Sequence, residues 1–123
     1  MARRNMEEQR IHQAIIEWMA WVGADCDVHH IPNGGARTKT EAAILKSLGV
    51  VAGAPDLHLC LNGGRCAYVE IKKKGERVSP EQIAFRNKCE KRGALWAVCE
   101  SIEDMERTLD LWGVTTCQRR ISR

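Results

Sequence analysis

No Cys-x-x-Cys pair occurs in the 123 residues. Zinc sites usually carry one, so the six cysteines (26, 60, 66, 89, 99 and 117) do not read as a zinc-binding set. In a reducing compartment they are expected to be free thiols, used as small buried apolar residues. No apolar run approaches the roughly 20 residues of a membrane-spanning helix. The opening MARRNMEEQR is charged with no apolar segment behind it. It therefore does not read as a signal peptide, and an intracellular protein without a membrane is expected. A large excess of one charge is also missing: 19 Lys and Arg stand against 16 Asp and Glu, a net +3. That excludes a histone-like polycation but leaves room for a local basic patch. There is no internal repeat, linker or low-complexity segment. One domain over residues 1–123 is the expectation, with the basic tail 114–123 frayed.

What is present is an ordinary globular composition, 44% hydrophobic and 28% charged, on a chain long enough to bury a core. Ile11, Ile15, Trp18, Met19 and Val22 recur at helical spacing, predicting a helix over 6–22 that ends at Gly23. Residues 26–31 read as a short strand and PNGGAR (32–37) as a loop. Thr38 or Thr40 could cap a helix over 41–48. Strands at 56–61 and 65–72 flank Asn62-Gly63-Gly64, a hairpin turn signal. Ser79, Pro80 and Glu81 open a helix that runs to about Arg92. A strand at 94–99 and a helix at 102–112, capped by Ser101, complete the order α-β-α-β-β-α-β-α. This is an α/β pattern, a small mixed sheet flanked by helices.

The hairpin carries the chemistry. A three-residue loop at 62–64 sets Asp56 opposite Glu70, His58 opposite Tyr68 and Cys60 opposite Cys66. These residues share one face with Lys72, because strand side chains alternate. The other face carries Leu57, Leu59, Leu61, Ala67, Val69 and Ile71, apolar apart from Arg65. A slip of one residue would bury the charges, so the apolar pattern supports the register. Directly opposed residues have Cβ atoms about 5 Å apart, and two carboxylates so placed repel unless something compensates. A divalent cation does so, and Mg²⁺ is typically held by one or two carboxylates plus a phosphate. Lys72 can set an ammonium beside it, to orient water or to stabilise charge on phosphate. Two acids, a lysine and a metal suit phosphodiester hydrolysis. Taken singly, Pro-Asp or Glu-x-Lys is also what an ordinary strand start or solvated strand face looks like.

Pro55-Asp56 with Glu70-x-Lys72 resembles the PD-(D/E)xK nuclease signature. More closely, the chain resembles the stand-alone VRR-NUC (virus-type replication-repair nuclease) domains over residues 7–113. The matching pieces are EQRIHQAIIEW (8–18), IPNGGAR (31–37), LKSLGVVAGAPDL (45–57), VEIKKKGERVSPEQ (69–82) and GALWAVCES (93–101). Ala54 before Pro-Asp and His12 in place of a glutamine depart from the pattern without removing a catalytic group. The resemblance implies a restriction-endonuclease-like fold and Mg²⁺- or Mn²⁺-dependent cleavage of DNA. It implies that Asp56 and Glu70 bind the metal, that the Ile71 carbonyl adds a ligand and that Lys72 serves catalysis. Glu8 is suggested as a third acid, with Glu7 competing; an acid that the dipole of the first helix favours is an equally good reading of Glu8. Gln82 matches a family glutamine on the helix after the catalytic strand. A viral or prophage setting, in a bacterial or phage-infected cell, follows by resemblance only.

Arg37 and Lys39 in NGGARTK, Lys46, and the run Lys73, Lys74 and Arg77 are candidates for contact with the DNA backbone. A solvated helix or loop explains each equally well. His29 and His30 alternate across a strand, so only one can face the site. Histidine 58 lies on the site face without an assigned role. The four tryptophans read as packing residues. The overall expectation is an endonuclease acting on DNA, with branched or Holliday-junction substrates suggested by analogy with junction resolvases. Cutting two strands would take a homodimer. A non-catalytic DNA-binding module and a protein-interaction domain are the rivals.

Overall fold

The first helix, α1 (Met6–Trp21), places Ile15, Trp18 and Met19 in the core, as its apolar spacing requires, with His12 buried beside them. The computed structural model describes residues 6–32 and 38–117. Strand β1 (Asp27–His30) follows, then α2 (Lys39–Ser47). Thr38, rather than Thr40, caps α2: its hydroxyl accepts the Glu41 N–H at 3.0 Å while the Glu41 carboxylate accepts the Thr38 N–H at 2.8 Å. The helix therefore begins ahead of the expected 41–48. Strands β2 (Leu57–Cys60) and β3 (Cys66–Ile71) come next. Ser79 and Gln82 close a second capping box at α3 (Pro80–Lys91). Strand β4 (Leu95–Cys99) and α4 (Ile102–Leu111), capped by Ser101, complete the described chain.

The sheet order is β1-β2-β3-β4. The first two pairings are antiparallel and the third, after the crossover through α3, is parallel. The hairpin pairs Leu57 with Val69, His58 with Tyr68, Leu59 with Ala67 and Cys60 with Cys66, the expected register. Asn62–Gly64 forms a single tight turn, with Gly63 and Gly64 at φ 79° and 73°, a region open to glycine. Leu57, Leu59, Ala67, Val69 and Ile71 are wholly buried with Ile15, Val22, Met105 and Leu109 of the α1 and α4 segments. Arg65, the polar exception on that face, donates to the Trp112 carbonyl at the sheet's rim. The opposite face carries α3. This is a four-stranded mixed sheet flanked by helices, as the α/β pattern predicts.

Several expectations need correcting. Of the six free thiols only Cys99 is buried; Cys60 and Cys117 are exposed, because they fall on strand and terminal positions outside the core. Trp21 is 54% exposed and so lies outside the core. Residues 114–117 are docked rather than frayed. Val114 is buried, the Asp25 N–H donates to the Thr115 carbonyl and the Cys117 N–H to the Val22 carbonyl, so this stretch seals the end of α1. The rest of the basic tail, 118–123, lies outside the described residues. Among the described residues no helix is long and apolar enough to cross a membrane. No residue of α2 is buried, and Ile44, Leu48, Val50 and Val51 present apolar side chains to solvent.

Gly53 fixes how the chain enters β2. Its φ is +84°, and a Cβ there would overlap the Glu81 carbonyl in the first turn of α3. Gly49, at φ +102°, has open space around it. Gly53→Ala is therefore expected to cost about 2–3 kcal/mol, against about 1 kcal/mol for Gly49→Ala. Urea denaturation of the two variants measures the difference, and equal losses would remove the steric argument.

Candidate active site

Strand ends build the site. Asp56 stands immediately before β2, where its carbonyl accepts the Ile31 N–H at 2.7 Å and the His30 ring Nδ1 at 2.9 Å. Its carboxylate accepts the Ile71 N–H at 2.8 Å, so the side chain extends the hairpin ladder by one bond. His30 is itself packed edge-on against His12 of α1, with ring centroids 4.7 Å apart. Glu70, on β3, is 5% exposed. Its Oε2 accepts a hydrogen bond from Gln82 Nε2 at 3.0 Å and lies 3.9 Å from Lys72 Nζ. The Gln82 carbonyl oxygen accepts the Ser79 N–H at 2.8 Å, so one amide closes the capping box and holds Glu70. Lys72 continues the β3–β4 pairing through its N–H to the Cys99 carbonyl. Its buried ammonium sits between Glu70 and Glu76, 3.7 Å from Glu76 Oε1.

The charge balance is negative. Burial pushes the Glu70 carboxyl up to about 8 from 4.5, and the Asp56 charge adds to the rise. Lys72 opposes the shift without cancelling it, and Glu8 contributes in the same sense as Asp56. A hydrogen bond with Glu8, and then the charges of Lys72 and Lys73, hold Glu76 below its ordinary value despite some desolvation. Four acidic side chains, Glu8, Asp56, Glu70 and Glu76, thus share the site with one ammonium, which lies against Glu70 and Glu76.

The expected residues divide accordingly. Asp56, Glu70, Lys72 and Gln82 come together on one sheet face. Half-buried Glu8 reaches this group from α1, while Glu7 is exposed one position away. The Ile71 side chain belongs to the core, so its part in the site is that of its backbone. Lys39 and Lys46 are exposed on α2. Lys73 is half-buried, and Lys74 and Arg77 are exposed in the turn after β3. Arg37 lies outside the described residues. Two participants went unnoticed in the sequence. Glu76 stands four residues beyond Lys72, and the turn at Gly75 (φ 83°) folds it back; the Gly within KKKGER was the available signal. His30 backs Asp56 from the other sheet face, which its alternation with His29 alone did not reveal.

The donors are all oxygens, the chemistry of a hard divalent cation. Among the described residues no three His, Cys, Asp or Glu side chains form a ready-made metal cage. Two carboxylates completed by water and a substrate phosphate fit that observation.

The VRR-NUC domain model matches residues 6–103. The chain belongs to the VRR-NUC domain family. This is a nuclease-type family, and Asp56, Glu70, Lys72 and Gln82 all fall within the matched span. One solved structure, a VRR-NUC domain protein, shares 23% identity at a TM-score of 0.66, covering 89% of this chain and 90% of its own. Another, a VRR-NUC domain, shares 22% identity at 0.59, covering 86% of this chain and 97% of its own. Both likenesses speak for the fold. No curated protein matches the chain.

The raised Glu70 carboxyl makes the metal-free fold sensitive to pH. The folded state keeps its proton up to about 8, whereas the unfolded chain releases it near 4.5. Stability from this group is complete below the lower value and is lost as pH rises through the upper one. In EDTA, melting temperature should fall by several degrees between pH 5 and pH 8. Glu70→Gln should flatten that slope, and an unchanged slope in the variant would show that Glu70 does not titrate as described.

Proposed function

We propose that this VRR-NUC protein is a Mg²⁺- or Mn²⁺-dependent DNA endonuclease selective for branched DNA. The observation that carries the reading is half-buried Asp56 beside buried Glu70, with Lys72 3.9 Å from Glu70, a cluster of acids that its own lysine does not neutralise. Asp56 and Glu70 would hold the cation, joined by the Ile71 carbonyl, with Glu8 as a further acid. When bound, the cation would activate water for attack on phosphorus and offset the charge that develops on the phosphate.

The chain's own residues do the rest. Lys72, desolvated and fixed by two carboxylates, directs positive charge at the phosphate without needing to reorganise. Gln82 keeps Glu70 in one rotamer, and the Ile71 N–H does the same for Asp56. The His30 ring anchors the Asp56 backbone from behind. Lys73, Lys74 and Arg77 leave the site on the same turn and would bind flanking phosphates; Lys39, Lys46 and Arg37 are further candidates for DNA contact from the sequence alone. One chain offers one such site, so paired cuts across a junction would need a two-fold dimer. The exposed apolar side chains of the α2 region offer it a contact surface.

Labelled four-way junction, flap, duplex and single-stranded DNA, incubated with Mg²⁺, Mn²⁺ or EDTA, test the activity. Cleavage should need the metal, and Lys72→Ala should lower kcat by about 100-fold or more. Metal-supported binding without any cutting would instead favour a DNA-binding module on the same fold. Light scattering at working concentration reads the dimer, and a monomer that makes paired cuts would contradict that part.

A further inference from the structure

The face that carries Asp56 and Glu70 also carries a ring on every strand. His29 pairs with His58, His58 with Tyr68 and Tyr68 with Trp96, so one cross-strand row runs through the whole sheet. Ring contacts run from His29 to Tyr68. The His29 and His58 rings lie 6.0 Å apart and within 18° of parallel, and His58 to Tyr68 is 5.3 Å. Helix α3 accounts for one half of it: Phe85 meets Tyr68 edge-on at 5.1 Å, and the Arg86 guanidinium covers Trp96 at 5.5 Å. On the other half His29 is exposed and His58 half-buried. The apolar core lies on the opposite face, so hydrophobic packing does not explain these two rings. The row is two residues along β2 and β3 from Asp56 and Glu70, about 7 Å at the rise of a strand.

We infer that the exposed His29–His58 end of this row is a stacking platform for an unpaired base of the DNA strand being cut. An open sheet face lined with rings is a known way to take up single-stranded nucleic acid. Stacking tolerates any base, because every base has a π-face. Continuity with the carboxylates selects the occupant: a strand whose phosphate reaches Asp56 and Glu70 passes its neighbouring nucleotide across His58. A base locked in a duplex cannot lie on a flat sheet, so the platform favours substrates unpaired beside the cut. This deepens the proposed nuclease reading and rests on it. It makes the unpaired nucleotide at a junction or flap the feature that is recognised.

Two measurements test it. Affinity for a single-stranded oligonucleotide and for the matching duplex is read by anisotropy in EDTA, and 2-aminopurine placed in the single strand reports stacking by quenching. His58→Ala should lower the single-strand to duplex affinity ratio about tenfold and relieve the quenching. His58→Phe, which keeps a ring but removes both nitrogens, should restore the ratio. An unchanged ratio and quench in His58→Ala, with metal-dependent cutting intact in the wild type, would overturn the platform and leave the nuclease standing. Loss in both variants would overturn stacking in favour of a polar contact. A wild type that neither binds nor cuts DNA would overturn the nuclease reading itself.

Discussion

The Ile71 N–H donates to the Asp56 carboxylate at 2.8 Å, and the rest of the site hangs on that bond. It exists because a three-residue loop sets the β2–β3 register, so that the residue ahead of β2 meets the end of β3. One step along β3 from the donor is Glu70, and one step beyond it is Lys72. Strand alternation sends both of those side chains to the Asp56 face while Ile71 enters the core. A register error of one residue would exchange the carboxylates for leucines, and the sealed core under α1 and α4 resists that exchange.

Burial is what makes this constellation more than a charged strand. Glu70 and Lys72 are both nearly inaccessible, and an ion pair in that setting contributes little to stability once desolvation is counted. The surplus of carboxylates makes matters worse for the fold, raising Glu70 toward neutrality. Groups held against their solvation preference in a common cluster are characteristic of functional sites. The fold offsets the cost locally. The Gln82 amide serves the cap of α3 with one end and Glu70 with the other, so that helix cannot shift without releasing the site. Gly53 allows the chain entering β2 to press against the same helix start.

The sheet thus divides its labour by face. One side is aliphatic and closed. The other is polar and ringed, covered by α3 over Tyr68 and Trp96 and open toward β1. The two tasks meet in single residues: His30 belongs to the core side yet anchors Asp56 through its backbone, and His12 packs behind it.

Most of the fold could be read from local rules. Caps at Thr38, Ser79 and Ser101, glycines at helix ends and alternation in the hairpin are short-range effects, and each was set by a few neighbouring residues. The same alternation placed Asp56, Glu70 and Lys72 on one face. What stayed hidden depended on segments far apart in the chain. The approach of Glu8 to Glu70 and the support of Asp56 by His30 are distances across the fold. So are the exposure of Cys60 and the docking of residues 114–117 on the end of α1. Which side chains could share a face was legible in the chain alone, because strand periodicity is a local property. Which of them meet, and how dry they become, was fixed by the folded molecule, because burial and charge coupling depend on what packs around them.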